Sequence, residues 1–136
     1  MNLEDLNSRI SQIINLYNCA LADGKFADSE KKLLIEIAKR FEIDLNSIYR
    51  IIFSENEFHL ELPKTREEKM QHIIDLVFMM MIDCKITNNE KDFCKSIVLK
   101  LGYSVRTIDY LISKILKDIK VNVDGENFEF DEKVYV

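Results

Sequence analysis

The sequence is poor in everything that breaks a helix. Its 136 residues include three glycines and a single proline, and tryptophan is absent. So few turn-formers favour long helices joined by short connections over the many tight turns of an all-β domain. Cysteine is sparse as well: Cys19, Cys84 and Cys94 are odd in number and never spaced Cys-x-x-Cys. A disulfide framework is therefore not expected, and reduced thiols in a cytoplasmic protein are the plain reading. An excess of positive charge is missing too. With a net charge of −5 and a pI near 5.1, the chain has no electrostatic footprint for phosphate backbones, which argues against nucleic acid. Lys31, Lys32, Lys39 and Arg40 read as the solvated face of a helix.

No apolar run is long enough to cross a bilayer, since the longest extends only from Leu76 to Ile82. Any association with membranes is expected to be indirect. The N-terminus lacks a basic segment followed by an apolar one, so no secretory signal is expected. There is no glycine-rich phosphate loop and no Ser/His/Asp or Cys/His spacing that suggests a nucleophile. His59 and His72 stand alone, and a surface or half-buried position is expected for each. An enzyme is accordingly not the expectation.

What remains is helical periodicity. Leu3, Leu6, Ile10, Ile13, Ile14, Tyr17, Ala20 and Leu21 recur at steps of three and four, a continuous stripe that Gly24 terminates. Leu33, Leu34, Ile37, Ala38 and Phe41 mark a second helix. Asp44 looks like the N-cap of a short third helix carrying Ile48, Ile51 and Ile52. Phe58, Leu60 and Leu62 alternate with polar residues before Pro63, which reads as an extended connection. Thr65 and Glu68 then form a capping box that opens a fourth helix. That helix is apolar on several sides (Met70, Ile73, Ile74, Leu76, Val77, Phe78 and Met79 to Met81), so a central place is expected, with the methionines as core filler. Cys94, Ile97 and Val98 mark a fifth helix, and Ile108, Leu111, Ile112 and Ile115 a sixth. Beyond residue 120, Val121, Val123, Phe128 and Phe130 alternate around Asp124-Gly125. Two readings of residues 121–136 stand side by side, a short C-terminal β-hairpin and a loose acidic tail.

The strongest signal is internal. Residues 13–53 lie over 73–113 without a gap: Ile13 on Ile73, Leu16 on Leu76, Asp23 on Asp83, Glu30 on Glu90, Ile37 on Ile97, and Ile48 and Ile52 on Ile108 and Ile112. One such unit cannot bury its own apolar faces, so two copies must pack together. The fold expected is an all-α, internally duplicated bundle of about six to seven helices. Residues 1–120 form the helical domain, with repeats at about 3–53 and 66–119.

Both copies carry an acidic turn, Asp23 to Glu30 and Asp83 to Glu90. The paired carboxylates suggest a divalent metal site built from Asp23, Glu30, Asp83 and Glu90. An EF-hand register fails, because its first and third positions would be Cys19 and Leu21, which supply no hard oxygen ligands. Helix capping explains much of the pattern instead: Thr87 and Glu90 form a capping box, and Asp23 and Asp83 suit Asx turns. Any ion site is expected to be asymmetric, with Asp23 and Glu30 the better half, since Cys84 replaces Gly24 in the second copy.

The Ala-Asp-Gly-x-apolar-x-x-x-Glu turn at 22–30, and the Leu/Ile/Ala-rich helix that runs on to Ile43-Asp44, resemble the tellurite-resistance TerB-like domain. The same module is found at the N-terminus of a membrane-anchored DnaJ-type co-chaperone. The resemblance spans roughly residues 3 to 119. It implies an all-helical, duplicated fold and no established catalysis. It further implies a scaffold role near membranes in chemical-stress responses, with divalent-metal binding by the acidic turns. The function expected is a non-catalytic binding module of a tellurite-resistance-type system that engages a protein partner. The alternative is a divalent-metal-binding protein.

Overall fold

Each repeat is a helix, an acidic turn, a second helix and a third. The computed structural model describes residues 3–121 apart from 56, 84 and 85. Six helices occupy them: α1 (Leu3–Leu21), α2 (Asp28–Arg40), α3 (Leu45–Ile52), α4 (Arg66–Met81), α5 (Asn88–Lys100) and α6 (Arg106–Val121). The described residues contain no strand. The hairpin or tail expected over 121–136 lies outside them, except that Val121 closes α6. Cys84 lies outside them as well.

The duplication holds to the residue where it matters most. Helices α2 and α5 are both 13 residues long, starting at Asp28 and Asn88 and ending at Arg40 and Lys100. Each then ends in the same Schellman turn. In the first copy the Ile43 N–H reaches the Ala38 carbonyl at 2.9 Å and the Glu42 N–H reaches Lys39; in the second, Tyr103 reaches Val98 and Gly102 reaches Leu99. This turn needs one left-handed residue. Gly102 takes it at φ +92°, while the first copy forces Glu42 to φ +59°. Glu42→Gly is therefore expected to stabilise the fold by about 0.5–1 kcal/mol, read from urea unfolding, because glycine carries no Cβ penalty there. An unchanged or lowered midpoint would show that the Glu42 side chain compensates for its backbone.

The two long first helices lie at the centre. Helix α1 packs on α4, and each also touches the second helix of both repeats; α3 lies on α1, and α6 on α4 and α5. The repeats are thus interlocked rather than stacked end to end. Ile13 and Ile73, Leu16 and Leu76, and Ile48 and Ile108 are all fully buried at matching repeat positions. Met79 and Met80 are core, as their run suggests, and Cys19 and Cys94 are buried like small hydrophobes. Asp44 caps α3 by accepting the Asn46 N–H at 3.1 Å. Thr65 caps α4 through its hydroxyl, which accepts the Glu68 N–H at 3.2 Å. The connection over 57–64 has no regular secondary structure and is tied down at Ser11, whose hydroxyl accepts the Glu61 N–H at 2.8 Å.

One expectation is overturned. His72 is neither on the surface nor half-buried but fully enclosed between α4 and α1. It is one of several buried polar side chains on α1 and α4, with Ser11, Gln12, Asn15 and Asp75. His72 Nε2 lies 3.4 Å from the Asn15 amide nitrogen. Asp75 accepts from Gln71 at 3.0 Å and is gripped by the Arg40 guanidinium, whose Nη1 is 3.2 Å away and whose Nη2 contacts the other carboxylate oxygen. Arg40 belongs to the first repeat and Asp75 to the second, so this ion pair crosses between them. Arg40 also sits closer to buried structure than the solvated-face reading of its helix implies.

Candidate functional site at the acidic end

The acidic turns begin where α1 and α4 stop. Helix α1 ends at Leu21, and Gly24, at φ +86°, turns the chain, its N–H bonded to the Leu21 carbonyl at 2.8 Å. Asp23 braces this turn as an Asx turn, accepting the Lys25 N–H at 2.9 Å. Glu30 and Glu90 then occupy the third position of α2 and α5. Each reaches back to its own cap: Glu30 accepts the Ala27 N–H at 2.9 Å, and Glu90 accepts the Thr87 N–H at 3.3 Å and the Thr87 hydroxyl at 3.0 Å. The capping box is complete only in the second copy, where the Thr87 hydroxyl accepts the Glu90 N–H at 3.1 Å. Ala27 has no oxygen with which to return the bond.

Capping does not account for the burial. A capping-box glutamate ordinarily lies on the surface, yet Glu30 and Glu90 are both 0% exposed. In each, Oε2 is enclosed without a hydrogen-bond partner. Burial raises the Glu30 carboxyl, its bond from Ala27 lowers it, and the charges of Asp83 and Asp23 raise it further. Burial likewise pushes Glu90 up to about 7 against the bonds from Thr87, with Asp23 and Asp83 again adding repulsion. Each buried glutamate therefore feels the aspartates of both turns. The four residues singled out from sequence are thus within electrostatic range of one another at one end of the bundle. They are not a finished cage. Among the described residues no three His, Cys, Asp or Glu side chains converge closely enough to hold one metal ion. Cys19, at the first position of the rejected EF-hand register, is buried in the core.

A second surface feature lies on the first repeat. Helix α3 spans 8 residues against 16 for α6, and the chain leaves it at Phe53. Ile51 is consequently half-buried, whereas Leu111 at the equivalent position is buried. Ile14, Ile51, Ile52, Phe58 and Leu60 line an apolar groove of about 220 Å³ here. Leu60 within it is 50% exposed, and Phe53, which follows Ile52 and has its ring near Tyr49, is 73% exposed. Glu57 and Arg50, both exposed, line an adjoining hollow with Ile51 and Phe58, and Glu55 is exposed in the segment between.

Sequence reasoning misses both the buried polar side chains of α1 and α4 and the groove. The repeat itself carries a signal for the former: Gln12 and His72 share one position, and Asn15 and Asp75 another, so polar residues recur at matching places on the two central helices. The groove has no such signal, because half-covered and fully covered isoleucines look alike in sequence.

Compared with protein-family models, with curated proteins and with solved structures, the chain matches none. Among the described residues, no helix is long and apolar enough to cross a membrane.

Proposed function

We propose that this chain is a non-catalytic binding module that engages a protein partner through the apolar groove of its first repeat. The exposed Leu60 in that groove, with the exposed Phe53 next to Ile52 in the chain, carries the reading, because large apolar side chains left exposed at an apolar hollow are a common mark of a docking site. The partner segment that fits is apolar with basic flanks, matching the exposed Glu55 and Glu57 of the segment after α3 and the net charge of −5. The TerB-like resemblance suggests a stress-response system as the setting. The test is affinity capture with wild type, with Phe53→Ser/Leu60→Ser and with Phe78→Ser, an exposed apolar residue on α4. Partners should be lost from the double variant alone, and the wild-type interaction should weaken in high salt. Equal capture by all three proteins would remove the groove from the reading.

The buried Oε2 atoms of Glu30 and Glu90 favour a second reading, a divalent cation at the acidic end. Two enclosed, unpartnered carboxylate oxygens with two further carboxylates in electrostatic range supply hard donors and unbalanced negative charge. Asp23, Glu30, Asp83 and Glu90 would have to draw together around the ion. Calcium, manganese and zinc are titrated in turn while the melting temperature is followed. An ion that binds the folded state must raise it, and at 100 times its dissociation constant by an amount equivalent to about 2.7 kcal/mol. Glu90→Gln should abolish the rise. No shift with any of the three metals ends this reading and leaves the first untouched.

A further inference from the structure

We propose that Cys19 and Cys94 are a redox site, a buried dithiol that a peroxide converts into a disulfide joining α1 of the first repeat to α5 of the second. Their Sγ atoms lie 3.4 Å apart, although 75 residues separate them in sequence. Both side chains are enclosed, at 0% and 1% exposure, and both are free thiols. The contact is not a by-product of duplication. Cys19 and Cys94 occupy different repeat positions, where the other copies carry Met79 and Leu34. The crossing of α1 and α5 alone brings them together.

The chemistry is self-contained once hydrogen peroxide arrives. One thiolate sulfur attacks a peroxide oxygen, breaking the O–O bond and giving a sulfenic acid and the first water. The second sulfur then displaces the hydroxyl from the sulfenic sulfur, forming the S–S bond and releasing the second water. Two thiols are oxidised, one peroxide is reduced, and the two thiol protons end in water. Contact between the sulfurs makes the second step fast, since no chain movement is needed to find the partner. The first step is slow in the closed protein. The hydrogen bond to Cys94, burial, and the nearby charges of Glu90 and Glu30 all hold Cys19 protonated, and only the thiolate reacts. The first step therefore limits the oxidation, and once peroxide reaches either sulfur the partner thiol is already in contact with it.

The experiment treats folded Cys84→Ser, and wild type beside it, with hydrogen peroxide, then alkylates and maps peptides after denaturation. The expected product has lost two hydrogens, has no alkylatable thiol in the variant and yields a Cys19–Cys94 linked peptide. Its melting temperature should rise by about 10 °C, reversed by dithiothreitol, because the cross-link closes a long loop in the unfolded chain. Oxygen added to either sulfur, linkage between chains, or thiols left intact while an exposed thiol peptide in the same tube is consumed would each overturn the proposal. If the variant fails to fold, the wild-type map decides, and a link through Cys84 counts against the pair.

Discussion

Arg40→Ala is expected to cost about 2–3 kcal/mol of folding stability at pH 7, well beyond an ordinary surface substitution. Asp75 is 3% exposed, and burial raises its carboxyl while the Arg40 hydrogen bonds and charge, and then Gln71, hold it down. Removing the guanidinium leaves a buried carboxylate with one remaining partner. It must then stay charged at a high desolvation cost or take up a proton. The Arg40 side chain is 43% exposed, so water can partly replace it, which places the loss at the lower end of the range for broken buried pairs. The penalty should shrink as the pH falls, since protonating Asp75 removes the stranded charge. Adding Asp75→Asn to Arg40→Ala should restore part of the loss. Urea unfolding of the wild type, the two single variants and the double variant measures the coupling, and equal losses in Arg40→Ala and the double variant would contradict it.

Two buried groups should give the protein opposing pH dependences. Glu90 is raised from 4.5 to about 7 in the folded state. Its stabilising contribution is complete below pH 4.5 and is lost as the pH rises through 7, because the folded state binds the proton more tightly. His72 runs the other way. Burial lowers it from 6.5 to about 3, so its contribution is present above pH 6.5 and is lost as the pH falls towards 3. Between pH 4.5 and 6.5 the two slopes, each about 1.4 kcal/mol per pH unit, oppose one another. Single substitutions separate them. Glu90→Gln keeps an acceptor for the Thr87 N–H and should match wild type near pH 4.5. By pH 8 it should be more stable by about 2–3 kcal/mol. His72→Gln should gain on wild type as the pH falls below 6.5. Stability differences that do not vary with pH would show that neither group titrates where its burial places it.

These two experiments probe residues of unequal legibility. Glu90 stands out in the sequence itself, because a carboxylate three residues after Thr87 has an obvious capping task. Its complete burial is not legible there, since a surface capping box and an enclosed one have the same sequence. Arg40 looks like part of a solvated, lysine-rich face, and His72 looks peripheral. Both make contacts that exist only where one repeat packs on the other, and a contact between residues 35 or 57 positions apart leaves no local pattern.

The sequence by itself determined the helices, their caps and the duplication. Those follow from forces that act within a few residues: apolar side chains three and four apart, glycine tolerating a left-handed turn, and hydroxyls and carboxylates satisfying the amides at a helix start. The scarcity of glycine and proline excluded most alternatives. Only the tertiary structure decided which polar residues are enclosed, that the acidic turns of both repeats act on Glu30 and Glu90, that Cys19 touches Cys94, and that Ile51 and Ile52 of α3 are left half covered. Each depends on how two units of the same fold are placed against one another. The side chains that differ between the copies, more than those they share, then set what lies inside and what faces out.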